Sequence, residues 1–124
     1  GFACPLYLSG DHNIQGVESL IQILNHYDWN ELHLIVGIGQ DKSCDEMFAL
    51  LLNLPRVKIY LTETPFKGRS IDQYPAEVLK VALQKNPNCI EILNSIYPNQ
   101  NDLVIVTGSL YLVGEVLKST QNTV

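Results

Sequence analysis

Basic residues are scarce in this sequence of 124 residues. Lys and Arg together number 8, against 13 Asp and Glu, and the formal net charge at pH 7 is -5. Proteins that bind nucleic acid neutralise its phosphates with clustered Lys and Arg. The sequence therefore predicts no nucleic-acid partner.

Cysteine pairs and long apolar runs are also lacking. Cys4, Cys44 and Cys89 are far apart and odd in number, which argues against a zinc cluster and against a disulfide framework. The apolar stretches, such as the one around residues 110–113, are far shorter than the roughly 20 residues that cross a bilayer, and the first residues lack a charged signal region. We expect a cytoplasmic protein without a membrane partner.

Several catalytic motifs are missing as well. The sequence contains neither the P-loop G-x-x-x-x-G-K-[ST] nor the nucleophile elbow G-x-S-x-G. Its three histidines, His12, His26 and His33, do not have the spacing of metal ligands, and His33 falls inside a candidate strand. We predict no metal site and no unaided binding of a triphosphate.

The size of the chain and its 46% of hydrophobic residues fit one domain, spanning residues 1–124. The first residue is Gly1 rather than methionine. This favours a processed protein or, as the preferred interpretation, a piece of a longer one.

Four apolar runs predict strands. Residues 32–38 and 103–107 are almost continuously apolar, as in parallel strands that helices cover on both faces. Residues 57–62 alternate instead, which favours a strand with one wetter face and a place nearer an edge. Residues 2–8 form the fourth candidate, and Pro5 there belongs at a strand start or at a sheet edge.

Between the strands the apolar period changes to that of helices. The pattern predicts helices over residues 16–27, from Ser43 until Pro55, from Pro75, and over residues 109–118. Residues 86–97 are compatible with a helix or with a short strand at 89–93. Alternating strands and helices predict an α/β fold: a Rossmann-like, mostly parallel open sheet with helices on both faces.

Three polar, glycine-marked loops follow three of the predicted strands: residues 9–16, 37–43 and 107–109. In open parallel sheets, ligands bind beyond the carboxyl ends of the strands, where the N-termini of helices present free N–H groups. We therefore expect the three loops to lie side by side at the carboxyl ends of the strands. We call this end of the sheet the rim.

Each loop has a structural and a functional interpretation. Asp11 or Asn13 serves as a helix cap or contacts a ligand, and His12 is an exposed loop residue or a ligand contact. Lys42 lies beside the start of a helix, where cations are unfavourable, so a bound anion there would relieve the mismatch. Ser109 is a helix cap or a ligand contact.

The same three loops resemble the folylpolyglutamate synthases and related dihydrofolate synthases. The segment TGSLYLVGEV at 107–116 closely resembles the closing signature of these enzymes. LSGDHNIQG at 8–16 is similar to their L-D-G-A-H-N-P-x-G segment, and GIGQDK at 37–42 to their G-x-x-x-D-K-D loop. The resemblance covers nearly the whole chain and is to the C-terminal domain of this Mur-ligase-like family.

That resemblance implies an ATP-dependent amide ligase. Such enzymes use ATP and Mg²⁺ to phosphorylate a carboxylate of folate or dihydropteroate, and the amine of L-glutamate then attacks the acyl phosphate. In the family, the P-loop and the metal ligands belong to the N-terminal ATPase domain, which closes against the C-terminal domain. The implied partner is therefore the protein's own N-terminal domain, and we expect this chain alone to be inactive.

The resemblance also implies roles for single residues. The residues implied at the nucleotide are Ser9, Asp11, His12, Asn13 and Lys42, and those implied on the glutamate side are His12 and Ser109.

Some positions depart from the family pattern. Ser9 and Ser43 stand where the family has aspartate, and Asp11 stands where it has alanine. A serine cannot form the stronger, charge-assisted hydrogen bond that a carboxylate forms. Asp11 would supply this bond if it contacts the nucleotide. Residues 85–102 are short beside the family, which predicts the loss of a strand. The departures leave open a decayed, non-catalytic nucleotide-binding or interaction module. A freestanding small nucleotide binder ranks lowest.

Overall fold

A five-stranded parallel sheet organises the chain. The computed structural model describes residues 4–10, 13–39, 44–65 and 68–121. The order of the strands is β1-β5-β2-β3-β4, and all neighbouring strands are parallel. The strands are β1 Leu6–Ser9, β2 Leu32–Val36, β3 Val57–Leu61, β4 Gln84–Lys85 and β5 Leu103–Thr107. The helices are α1 Ile14–Leu24, α2 Cys44–Leu51, α3 Ala76–Val81, α4 Cys89–Ser95 and α5 Leu110–Gln121, with a short 3-10 turn at Ile71–Gln73.

Helices cover both faces of the sheet, as predicted. All five residues of β2 are buried, and successive side chains of a strand point to opposite faces. Leu34 belongs to the core formed with α1, α2 and α3, whereas Ile35 belongs to a second core formed with α4 and α5. The continuous apolar run therefore reflects a strand that is covered on both sides.

The start of α1 is set by a side-chain cap. The Oδ1 atom of Asn13 accepts a hydrogen bond from the Gly16 N–H at 2.8 Å. This cap lets the helix begin at Ile14, two residues before the predicted start. Val17, Leu20 and Leu24 form its buried face, as the sequence periodicity predicts.

The ambiguous segment 86–97 contains a helix. Asn88 caps α4, since its side chain accepts from the N–H groups of Ile90 and Glu91. The Asn86 side chain instead accepts from the Asn88 N–H at 2.9 Å and forms the turn before the cap. The strand interpretation of residues 89–93 was wrong, because the side chain of Asn88 satisfies the first helical N–H groups.

The sequence pattern correctly predicted that the first strand, β1, lies at an edge of the sheet, but it did not predict β4. β1 lies at an edge, and Pro5 precedes it and accepts a hydrogen bond from the Val104 N–H at 3.2 Å. β3, predicted nearer an edge, lies next to the edge strand β4, which pairs with its last two residues. β4 has only two residues, too few to leave a periodic signal.

Along the described ranges, the structure contains no helix long and apolar enough to cross a membrane.

Candidate functional site

The strands that lead into the three predicted loops end side by side. Ser9 pairs with Thr107 across β1 and β5, and Thr107 pairs with Val36 across β5 and β2. The sheet order β1-β5-β2 therefore brings the starts of all three loops to one edge. This edge is the rim expected from the sequence.

Two of these loops touch through their backbones. The Gly37 N–H donates to the Thr107 carbonyl at 3.1 Å. Gly108 has a φ of +111°, and a Cβ atom there would lie 2.5 Å from the Gly37 carbonyl oxygen. Only glycine adopts this conformation and this close approach without strain. The loops after β2 and β5 are thus held against each other.

Ser109 combines burial with a helix-capping contact. Its exposed fraction is 6%, and its Oγ atom accepts a hydrogen bond from the Tyr111 N–H at 3.1 Å. Ser109 is therefore the cap of α5, as one of its two interpretations predicted. A serine hydroxyl that accepts a hydrogen bond keeps its own proton for donation to a ligand.

The remaining predicted site residues divide into two groups. Ser9 ends β1 and is buried, with 6% exposed, and Asn13 is exposed at the start of α1. Asp11, His12, Lys42 and Ser43 lie outside the described residues. Their roles in binding stay predictions.

A fourth loop follows β3 and also contacts the rim through its described residues, 62–65 and 68–74. No motif in the sequence points to it. Gly39 and Gly68 form an antiparallel bridge, and the Arg69 N–H donates to the Ile38 carbonyl at 3.0 Å. Arg69 brings a positive charge here. Burial raises the pKa of the Cys44 thiol to about 11 even though the charge of Arg69 acts to lower it. The loop has a single glycine, Gly68, and no histidine, so its sequence matches none of the motifs considered.

Two buried threonine hydroxyls at this edge have no hydrogen-bond partner among the described residues. Thr62 follows β3 and Thr107 ends β5, and their exposed fractions are 0% and 1%. Within the described part of the chain, neither Oγ1 atom has a hydrogen-bond partner. Buried hydroxyls without partners are uncommon in folded proteins, so these two atoms mark the rim as chemically unusual.

The cysteines do not supply a nucleophile. All three are buried, and burial raises the pKa of Cys89 to about 12. Thiols of this kind remain protonated near neutral pH and react poorly.

A polar cluster lies opposite the rim, near the amino-terminal ends of the strands. His33 Nε2 lies 3.0 Å from Asp102 Oδ2 and 3.9 Å from Glu31 Oε2, and His33 Nδ1 lies 3.0 Å from the Tyr60 hydroxyl. Lys58 Nζ contacts the other oxygen of Glu31 at 3.3 Å. Three candidate ligand atoms lie within 4.8 Å of one another, one each from Glu31, His33 and Asp102. This spacing is compatible with a metal ion.

Protein groups already satisfy this cluster. Asp102 accepts from the N–H groups of Glu31 and Asn99 as well as contacting His33. Burial raises the pKa of Asp102, but these hydrogen bonds outweigh it and hold the pKa below its usual value. The network therefore acts as a structural contact between β2, β3 and the turn before β5, as expected for a histidine inside a strand. The spacing of the histidines does not reveal this network, because the other two members of the cluster are carboxylates.

The chain is similar in sequence and in fold to known proteins. The family model of the dihydrofolate synthetase C-terminal domain matches residues 1–119. The dihydrofolate synthase/folylpolyglutamate synthase of Bacillus subtilis (strain 168) is 26% identical over 118 residues, which are 92% of this chain and 27% of that protein. Protein MGF 505-4R of African swine fever virus is 29% identical over 115 residues, which are 79% of this chain and 23% of that protein.

A solved structure has the same fold. The crystal structure of a bifunctional folylpolyglutamate synthase/dihydrofolate synthase with Mn, AMPPNP and L-glutamate bound matches with a TM-score of 0.79 and 25% identity, covering 98% of this chain and 30% of that one. The chain thus spans less than a third of the length of these relatives.

Proposed function

The chain belongs to the family of dihydrofolate synthetase C-terminal domains, and from that premise we propose that it forms the glutamate side of an ATP-dependent amide ligase. The substrates would be L-glutamate and folate or dihydropteroate. The reaction would need an N-terminal ATPase domain, because the chain lacks a P-loop.

The arrangement of the rim is the observation that carries this proposal. The ends of β1, β5 and β2 are neighbours, and the loops that resemble the ligase family begin there. α5 also begins at this edge, at Leu110, directly after Ser109. Free N–H groups at a helix N-terminus favour anions such as carboxylates and phosphates. An anionic substrate would therefore find donors from several loops at once.

The described rim suits an anion better than a metal ion. Its described polar side chains include hydroxyls, the Asn13 amide and the guanidinium of Arg69, while the Glu63 carboxylate accepts a hydrogen bond from the Ile71 N–H at 3.1 Å. Mg²⁺ prefers carboxylate and water oxygens. We therefore assign the metal to the N-terminal domain and derive no step of the reaction from a metal bound to this chain.

The chemistry would proceed between the two domains. A substrate carboxylate oxygen takes the γ-phosphoryl group of ATP and releases ADP. The amine nitrogen of glutamate then attacks the acyl carbon, phosphate leaves with the bonding electrons, and the nitrogen loses its proton. This chain would orient the incoming glutamate, with the Ser109 hydroxyl donating a hydrogen bond to a carboxylate of glutamate. His12, Asn13 and Lys42 would contact the nucleotide, with Ser9 or Asp11 in place of the missing aspartate.

An assay of the full-length protein tests the proposal. We expect ADP release that depends on both glutamate and a folate or dihydropteroate substrate. Ser109→Ala should raise the KM for glutamate about tenfold, the loss of one hydrogen bond to a charged group. Ser95→Ala is the matched control, because its hydroxyl also bonds to the protein backbone, at 2.8 Å from the Ile92 carbonyl, but lies at the end of α4. Absence of glutamate-dependent ADP release would contradict the proposal.

A second candidate is a non-catalytic nucleotide-binding or interaction module of the same fold. The serines that replace aspartate at Ser9 and Ser43 favour it, as does the similarity to a viral protein whose name does not denote a synthase. The upstream coding sequence distinguishes the candidates. A P-loop domain upstream, together with rescue of a strain that lacks folate polyglutamation, would favour the ligase.

A further inference from the structure

The polar cluster opposite the rim contains three side chains of the kinds that bind metal ions. Glu31, His33 and Asp102 each contribute one candidate ligand atom, and these atoms lie within 4.8 Å of one another. Imidazole nitrogen and carboxylate oxygen both serve as ligands of Zn²⁺ in proteins. His33 and Asp102 are buried, whereas the Glu31 side chain is 37% exposed. An ion therefore has a route from solvent to the cluster past Glu31.

The register of the sheet brings these ligands together from distant parts of the sequence. Leu32 of β2 pairs with Leu103 of β5. The residues before them are neighbours as well, since the Leu103 N–H donates to the Glu31 carbonyl at 3.0 Å and the Glu31 N–H donates to the Asp102 carboxylate. His33 lies two residues after Glu31, and alternate residues of an extended chain point to the same face. The three side chains therefore meet on one face of the sheet.

The distances suit a small tetrahedral ion. His33 Nε2 lies 3.0 Å from Asp102 Oδ2 and 3.9 Å from Glu31 Oε2. Ligand atoms at the bond lengths of zinc, about 2.0 to 2.2 Å, lie roughly 3.4 Å apart at the corners of a tetrahedron. This value falls between the two distances, so binding needs only small movements. Glu31 can make the larger one, because its carboxylate and Lys58, which contacts its other oxygen at 3.3 Å, are both partly exposed.

Neighbouring groups hold the two buried ligands in place. His33 Nδ1 lies 3.0 Å from the Tyr60 hydroxyl, and the Asp102 carboxylate accepts from the N–H groups of Glu31 and Asn99. Histidines that bind metal ions use their second ring nitrogen in a hydrogen bond of this kind, which fixes the orientation of the ring. The ligands are thus oriented before an ion enters.

We propose that Glu31, His33 and Asp102 form a zinc-binding site, with water as the fourth ligand. In the metal-free protein the ionised Asp102 can only accept, so His33 Nε2 carries the imidazole proton and donates it to this hydrogen bond. When zinc binds, Nε2 becomes a ligand, and the proton is carried by Nδ1 and donated to the Tyr60 oxygen. With a neutral imidazole in both states, zinc replaces one hydrogen bond without a change in protonation. The site does not depend on the proposed ligase function.

A zinc titration of the full-length protein tests the site. Protein freed of metal with EDTA, and then of the chelator, competes for Zn²⁺ with a chromophoric chelator. Glu31→Gln should weaken the binding of one zinc ion per chain at least about tenfold, since the loss of a ligand costs no less than the loss of an outer contact. Glu18→Gln is the matched control, because Glu18 is an exposed residue of α1, and it should bind zinc like wild type. Equal zinc affinity in Glu31→Gln and wild type would overturn the proposal.

Two further measurements separate a zinc site from a network that is only structural. Tyr60→Phe should weaken the same zinc ion about tenfold, because the ring of His33 loses its second hydrogen bond. Zinc should also raise the Tm of wild type but not that of Glu31→Gln, since an ion that binds only the folded state stabilises it. An equal rise of Tm in wild type and Glu31→Gln would contradict the site, even if Tyr60→Phe does not fold.

Discussion

At the scale of single residues, Asp102 connects parts of the chain that lie far apart in sequence. Its carboxylate reaches the backbone N–H of Glu31 and the side chain of His33, which are 71 and 69 residues away. A buried carboxylate is stable only when it is well hydrogen-bonded. The depressed pKa of Asp102 therefore makes the stability of the fold depend on pH.

Asp102→Asn should lower the free energy of unfolding at pH 7 by about 2 kcal/mol, because hydrogen bonds to a charged group are replaced by weaker ones. The folded-state pKa lies below the usual value, so the contribution is complete above about pH 5 and is lost as the pH falls through the folded pKa. The difference from wild type should shrink below about pH 4. Urea unfolding at several pH values measures this.

Asp28→Asn is the control, since Asp28 is exposed. A wild-type stability advantage over Asp102→Asn that persists unchanged at the lowest pH would contradict the assigned role of Asp102.

Site residues differed in how far the sequence could predict them. The caps formed by Asn13 and Ser109 depend on neighbours two or three residues away, so local pattern was sufficient to suggest them. Arg69 and Tyr74 reach the rim through contacts with Ile38, which lies in a different loop. No local pattern encodes such a contact.

At the scale of secondary-structure elements, periodicity predicted the long helices and the buried strands, because burial on one or two faces leaves a repeating apolar signal. Helix ends were less accurate. α2 ends at Leu51 rather than near Pro55, and α3 ends at Val81 although Ala82 has the apolar character of the helix. The two-residue strand β4 was not predictable, because its pairing depends on the neighbouring β3.

The entry into α5 gives a matched pair of substitutions. Gly108→Ala should destabilise the protein by about 2 kcal/mol or more, because alanine is strained at positive φ and its Cβ would contact the Gly37 carbonyl. Gly114→Ala should stabilise by about 0.5 to 1 kcal/mol, since a Cβ there meets no atom within 4 Å and alanine favours the helix. Urea unfolding followed by circular dichroism compares the two. Equal stability of Gly108→Ala and wild type would contradict the close packing of the two loops.

At the scale of the whole molecule, the fold class followed from the alternation of strands and helices, but the strand order did not. The insertion of β5 between β1 and β2 depends on contacts between distant segments, and the alternation of elements is compatible with several orders. The rim was predictable because parallel strands place all their carboxyl ends at one edge. Under the proposed function the rim would supply one side of a cleft, so affinity for ligands should be weak until another domain closes it.

The 124-residue chain by itself should bind ATP with a Kd above about 1 mM, the affinity that corresponds to about 4 kcal/mol. A helix N-terminus contributes only about 0.3 to 1 kcal/mol to binding an exposed anion. Titration with ATP and Mg²⁺, followed by NMR chemical shifts, measures this affinity. Saturation at micromolar ATP would contradict the idea that the cleft is incomplete.

The position of β5 also constrains how the chain can fold during its synthesis. Leu6 pairs with Val104, and the other edge of β5 pairs with β2. While a ribosome is still translating residues before 103, β1 has no neighbouring strand and β2 has one unpaired side. Because β5 must then enter between them, the nascent chain cannot complete its sheet until nearly the whole sequence has left the exit tunnel, and its unpaired strands remain open to chaperones until that moment.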